Sequence, residues 1–198
     1  MSGPIRLFVD HPLGQEQLVP LTRDQAHYLF GVMRRTLGDP VTLFNGRDGE
    51  WASSVHAASK RSGTLLVGAQ TAPLRLPPDL WLLFAPIKKA RTDFIVEKAA
   101  ELGAAMIQPV QTAFTNAERV RRDRPQAHAI EAAEQCGGTF VPEVRDIIKL
   151  EPLLDHWPEG RNLLFCDETT ASDDTPSSLA LPSAPAAVLI GPEGGFSD

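Results

Sequence analysis

The last thirteen residues of the chain, 186–198, constrain its fold most. Ala186-Ala187-Val188-Leu189-Ile190 is a short continuous apolar run, the pattern of a strand buried on both faces. It breaks into Gly191-Pro192-Glu193-Gly194-Gly195 and reaches Ser197-Asp198, side chains suited to capping a helix. A buried strand that runs through a glycine-rich loop toward a helix start belongs to an open α/β sheet. Such sheets bind ligands outside the carboxyl ends of their strands. Glycine in that loop lets backbone amides approach a ligand closely.

The rest of the second half has the alternation such a sheet needs. Apolar strands are expected at 80–85, 104–110 and 163–166, and helices at 91–102, 126–136 and 151–157. Gly103 stands at the C′ position of the first helix, and Gly137-Gly138 closes the second. Strands alternating with helices imply a parallel sheet with right-handed crossovers. A Ser/Thr/Pro/Asp-rich stretch, 169–185, reads as a surface loop.

The first half follows another rule. Strands are expected at 6–9, 41–44, 51–56 and 63–69, with one short helix capped by Thr22. Short strands at this spacing point to a small all-β barrel. Pro73, Pro77 and Pro78 interrupt both periodicities, so 73–79 reads as a linker. The expected organisation is therefore a β-barrel over 1–72 and an α/β domain over 80–198.

Composition excludes several classes. An apolar fraction of 42% and a charged fraction of 22% are those of a globular protein. No apolar run has membrane-spanning length and no signal pattern opens the chain, so a cytoplasmic protein is expected. Cys136 and Cys166 lack neighbours at metal-ligand spacing, so no metal site is expected, and Cys166 reads as a buried thiol. The net charge of −6 argues against nucleic acid, but the positive charge is clustered. Arg34-Arg35, Lys88-Lys89 with Arg91, and Arg119, Arg121, Arg122 and Arg124 form three groups. Each alone reads as a solvated face; together they are candidates for a phosphate track on RNA.

Residues that carry chemistry are few. There is no nucleophile elbow, no metal-binding His/Glu helix and no Walker A loop. Glu134-Gln135 could be catalytic, although such pairs are common at helix ends. Asp167-Glu168 follows a strand where a ligand could be read, or where a loop simply begins. His27 and His128 read as structural. No residue is assigned as catalytic.

Four segments taken together carry a resemblance. They are His27-Tyr28-Leu29-Phe30-Gly31-Val32-Met33-Arg34-Arg35 with Gly38-Asp39-Pro40, Lys98-Ala99-Ala100-Glu101-Leu102-Gly103, Ala133-Glu134-Gln135-Cys136 with Val141-Pro142, and Ile190 to Ser197. In order and spacing the chain resembles the bacterial 16S rRNA (uridine-N3) methyltransferases of the E type, in the SPOUT (trefoil-knot) superfamily. The resemblance implies a PUA-like RNA-binding barrel followed by a knotted α/β methyltransferase domain that binds S-adenosylmethionine (SAM) and works as a homodimer. It implies methylation of N3 of one uridine in 16S rRNA or the small ribosomal subunit. Gly191, Pro192, Glu193, Gly194, Gly195 and Phe196 then become the cofactor loop. Three departures stand out: Gly138 replaces an arginine found in many relatives, Ala113 and Phe114 replace a basic residue, and the family's C-terminal knot segment does not follow Asp198. The expectation is a C-terminally incomplete methyltransferase domain, whose 198-residue form is expected to be inactive. The alternative is a non-catalytic RNA-binding and dimerisation module, which would not need the cofactor.

Overall fold

The computed structural model describes residues 5–115, 122–166, 185–192 and 195–196, with Lys89 by its backbone alone. The chain divides into two units, Met1–Leu76 with Ala133–Val141, and Pro77–Ala132 with Pro142–Asp198.

In the first unit, five strands form one sheet in the order β1-β3-β4-β5-β2. They are β1 (Ile5–Phe8), β2 (Leu18–Pro20), β3 (Pro40–Phe44), β4 (Glu50–Ala58) and β5 (Gly63–Ala72). Alternate apolar side chains of these strands (Leu7, Val41, Leu43, Val55, Leu65 and Val67 among them) fill one core. Between β2 and β3 lies α1 (Arg23–Ala26). Thr22 caps it as expected, its hydroxyl accepting from the Gln25 amide while the Gln25 side chain accepts from the Thr22 amide. The helix does not continue at α-helical pitch. It widens into a π-helical segment, His27–Val32, with the Met33 amide donating to the Tyr28 carbonyl at 2.9 Å.

The Asn45–Asp48 turn fastens the start of this unit. One carboxylate oxygen of Asp48 accepts from Asn45 Nδ2 at 2.6 Å and from the Leu13 amide at 2.9 Å. The Asp48 carbonyl accepts from Trp51 Nε1 and Gln70 Nε2. The Asn45 hydrogen bond first, and the Leu13 amide second, hold the Asp48 carboxyl below the usual carboxylate range. The folded state therefore binds this proton less tightly than the unfolded chain does. The resulting stabilisation is complete above the unfolded carboxylate pKa of about 4 and is lost as pH falls through the lower folded pKa. Urea denaturation is expected to show the wild type losing more stability than Asp48→Asn between about pH 5 and pH 2. Parallel losses in the two proteins would contradict this reading.

In the second unit, five parallel strands run in the order β10-β11-β6-β7-β8. They are β6 (Leu80–Phe84), β7 (Met106–Gln111), β8 (Glu143–Val144), β10 (Asn162–Cys166) and β11 (Ala186–Ile190); β9 (Ile148–Lys149) pairs with the end of β7. The connecting helices are α2 (Lys89–Glu101), α3 (Asp123–Cys136) and α4 (Leu150–Asp155). Gly103 follows α2 at φ +81°, the left-handed conformation its C′ position requires. Leu83, Val110, Ala187 and Leu189 pack together with Trp81, Trp157 and Phe196 around them.

The structure adds to the sequence reading and corrects it. β2, β8 and β9 are two or three residues long, too short to display a period. Cys166 is exposed, because it lies at the far end of the edge strand β10.

Candidate functional site

From β6 the sheet grows through β7 to β8 on one side, while β11 and β10 lie on the other. β6 and β11 are thus neighbours although they are the first and last strands of this sheet along the chain, and the crevice beyond their carboxyl ends is on the side where open α/β sheets receive ligands. The Ala85 amide donates to the Ile190 carbonyl at 3.0 Å, so the two loops that leave these strands start side by side.

Thr92 holds the first loop. Its hydroxyl accepts from the Ile87 amide and donates to the Ile87 carbonyl, both at 3.1 Å. The amides of Arg91 and Thr92 then donate to the Lys88 carbonyl, which starts α2 with Lys88 exposed at its N-terminus. The second loop is Gly191 onward. The Gly195 amide donates to the Pro192 carbonyl at 2.9 Å, and Gly195 sits at φ +70°. This turn folds Phe196 back over the sheet, where its ring meets Phe165 edge-on at 4.6 Å and packs on the Leu83–Leu189 cluster. A Cβ at Gly191 would lie 2.5 Å from the Phe196 ring, so the ring occupies the space a side chain there would need. Phe165 and Ile190 leave nearly half of their surface exposed at the strand ends, giving the crevice an apolar side. Glu193, Gly194, Ser197 and Asp198 lie outside the described residues, as do Asp167 and Glu168.

The basic candidates are placed as follows. In the first unit, Arg34 is exposed at φ +55°, two residues beyond the π-helical segment. The Arg35 amide donates to the Leu29 carbonyl, and its buried Nε has no hydrogen-bond partner. In the second unit, Lys88 and Arg91 are exposed at the start of α2. Arg122 pairs with Glu143 at 3.3 Å, and Arg124 pairs with the buried Asp93. Arg119 and Arg121 lie outside the described residues. His128 is set among carboxylates, 3.5 Å from Asp93, 3.3 Å from Glu97 and 3.6 Å from Glu131. Among the described residues no group of three or more His, Cys, Asp or Glu side chains is placed to hold a metal ion.

Glu134 has a structural task. Its carboxylate accepts from the Phe8 amide at 2.8 Å. Beside it, Arg6 donates to the carbonyls of Ala133, Glu134 and Gly138 at 2.6, 3.0 and 2.9 Å and pairs with Glu50 at 2.9 Å. Sequence reasoning passed over Arg6. The available signal was its position, one long cation set between the apolar Ile5 and Leu7 of a strand.

Comparison with known proteins gives two family matches. The model described as RNA methyltransferase domain matches residues 74–198, and that described as RNA methyltransferase PUA domain matches residues 21–67. The Rickettsia conorii protein named ribosomal RNA small subunit methyltransferase E is 26% identical over 197 residues, covering 98% of this chain and 80% of that protein. Its Bacillus subtilis namesake is 25% identical over 209 residues, covering 98% and 82%. A Legionella pneumophila structure solved in complex with the cofactor SAM superposes with a TM-score of 0.84 at 27% identity, covering 100% of this chain and 83% of that one. The Neisseria gonorrhoeae ribosomal RNA small subunit methyltransferase E bound to S-adenosyl methionine has the same fold, with a TM-score of 0.82 at 24% identity and coverage of 99% and 83%.

Proposed function

The chain belongs to the RNA methyltransferase domain family, and from that premise we propose that it uses SAM to methylate N3 of a uridine in 16S rRNA. One observation carries the reading. The likeness to proteins named for small-subunit rRNA methylation runs through both units together, over 98% of the chain in the Rickettsia conorii match. In this proposal residues 1–72 are a PUA-like RNA-binding barrel, 73–79 a linker, and 80–198 a SPOUT methyltransferase domain with a trefoil-knot topology. The working form is a cytoplasmic homodimer. Among the described residues no helix is long and apolar enough to cross a membrane.

The crevice between β6 and β11 suits the cofactor. Exposed Phe165 and Ile190 offer an apolar surface to a flat ring. Held there, SAM would supply an activated methyl group for transfer to N3, its sulfur being the leaving group and the N3 proton passing to solvent. The chain's own part is to orient the uracil and to exclude water, which turns a bimolecular encounter into a positioned one. The positive end of α2 and the exposed Lys88 beside the crevice favour an anionic phosphodiester nearby.

Titration calorimetry with SAM separates this reading from that of a non-catalytic RNA-binding module. Saturable binding of SAM by the chain is expected from the crevice, in place of the inactivity expected from the sequence alone. Absence of binding at millimolar SAM, in protein that still binds rRNA, would favour the module.

A further inference from the structure

A second pocket lies in the first unit, between the π-helical segment and the tip of the β4–β5 hairpin. It has a volume of about 500 Å³, within the range of small-molecule sites. Its walls carry His27 and Phe30 on one side and Lys60 and Arg61 on the other, with no carboxylate among the lining residues of a chain whose net charge is −6.

The pocket is built by the local backbone. Leu29 is fully buried in the core and fixes the wide turn, which presents its neighbours His27 and Phe30 to the hairpin. Two glycines make room for the two rings. A Cβ at Gly31 would lie 2.9 Å from the His27 ring, and one at Gly63 would lie 2.5 Å from the Phe30 ring. The hairpin tip is closed by Ser59 and Ser62, which exchange backbone and hydroxyl hydrogen bonds of 2.9 to 3.1 Å. That turn holds Lys60 and Arg61 outward. Among the described residues neither has an ion-pair partner, so both charges are available to a ligand.

Two aromatic rings facing two uncommitted cations match a ligand with a flat face and an anionic link. We infer that this pocket holds one unstacked nucleotide of single-stranded RNA, its base against Phe30 and His27 and its flanking phosphates on Lys60 and Arg61. The inference rests on the rRNA reading above and adds to it a nucleotide-binding point in the first unit. It also gives His27, which reads as merely structural in the sequence, a contact with the ligand.

The test uses the full chain and a fluorescein-labelled oligouridylate, with a duplex RNA of equal length as comparison, by anisotropy across a salt series. Wild type is expected to prefer the single strand. Phe30→Leu is expected to lower single-strand affinity roughly tenfold, by removing the stacking face. The exposed pair Lys60→Gln with Arg61→Gln is expected to flatten the log–log salt slope by about 1.4, or 0.7 for each phosphate contact. A 4-thiouridine in the oligonucleotide should cross-link to the peptide around residue 30 or the hairpin tip. Wild-type affinity and slope in both variants, with cross-links elsewhere, would overturn the pocket and leave the rRNA reading standing. Failure of the wild-type chain to bind either RNA would remove both.

Discussion

Arg6→Ala is expected to destabilise the first unit by about 3–5 kcal/mol, the range for removing one partner of a buried ion pair. Arg6 and Glu50 are both mostly buried, with side chains 15% and 20% exposed. The truncation leaves the Glu50 carboxylate with the Thr71 hydroxyl, at 2.8 Å, and no cation. It also strips donors from three carbonyls, two of which, Ala133 and Glu134, lie in the last turn of α3, where a cation is favoured by the helix dipole. The Arg6 guanidinium further lies 4.6 Å from the Phe44 ring centre, a contact also lost. Urea denaturation followed by the fluorescence of Trp51, in the same unit, with Trp81→Phe and Trp157→Phe removing the other two tryptophans, reads the effect. Arg6→Lys should recover part of it, since an ammonium restores the charge but not the planar fork that serves Glu50 and three carbonyls at once. A loss below about 1 kcal/mol for Arg6→Ala would mean that the pair acts like an exposed salt bridge.

Gly191→Val is expected to lower SAM affinity more than a hundredfold while leaving the first unit folded. A Cβ at this position already falls 2.5 Å from the Phe196 ring, and valine adds two methyl groups beyond it. The ring must leave its seat against Phe165 and the Leu83–Leu189 cluster, and the turn from Pro192 to Gly195 is drawn away with it. Because Phe196 is a terminal ring and not main chain, the double change Gly191→Val with Phe196→Ala should recover folding of the loop without recovering the apolar contact. Calorimetry with SAM and the Trp51-reported stability of the first unit separate the two consequences. Unchanged SAM affinity in Gly191→Val would make the loop a turn with no part in binding.

The elements most legible in the sequence were those whose burial has a clear period or whose ends carry a cap. Thr22 and Gly103 mark their helix ends through local hydrogen bonding and a positive φ, so neighbouring residues suffice to find them. The run from Ala186 to Ile190 is apolar because parallel neighbours flank it on both sides, β10 and β6. What escaped depends on partners far along the chain. Arg6 is explained only by carbonyls more than 120 residues away, and the pocket of His27 and Phe30 only by a hairpin about 30 residues on. The π-helical widening at His27–Val32 keeps an apolar spacing that an α-helix would also show, so no local signal separates the two. In the candidate site the loop itself was readable from its glycines. The reason Gly191 must be glycine was not, since it lies in where the Phe196 ring folds back.

The central claim is that this chain methylates N3 of a uridine in small-subunit rRNA. The most direct measurement is to incubate the protein with SAM and small ribosomal subunits lacking that modification, then digest the rRNA to nucleosides for mass spectrometry. Against the sequence expectation of an inactive 198-residue form, the predicted product is 3-methyluridine, dependent on SAM, with one new methyl group per subunit at a single uridine, and lost in Gly191→Val. SAM binding without methyl transfer to any rRNA nucleoside, or transfer to a different base or a different atom, would contradict it.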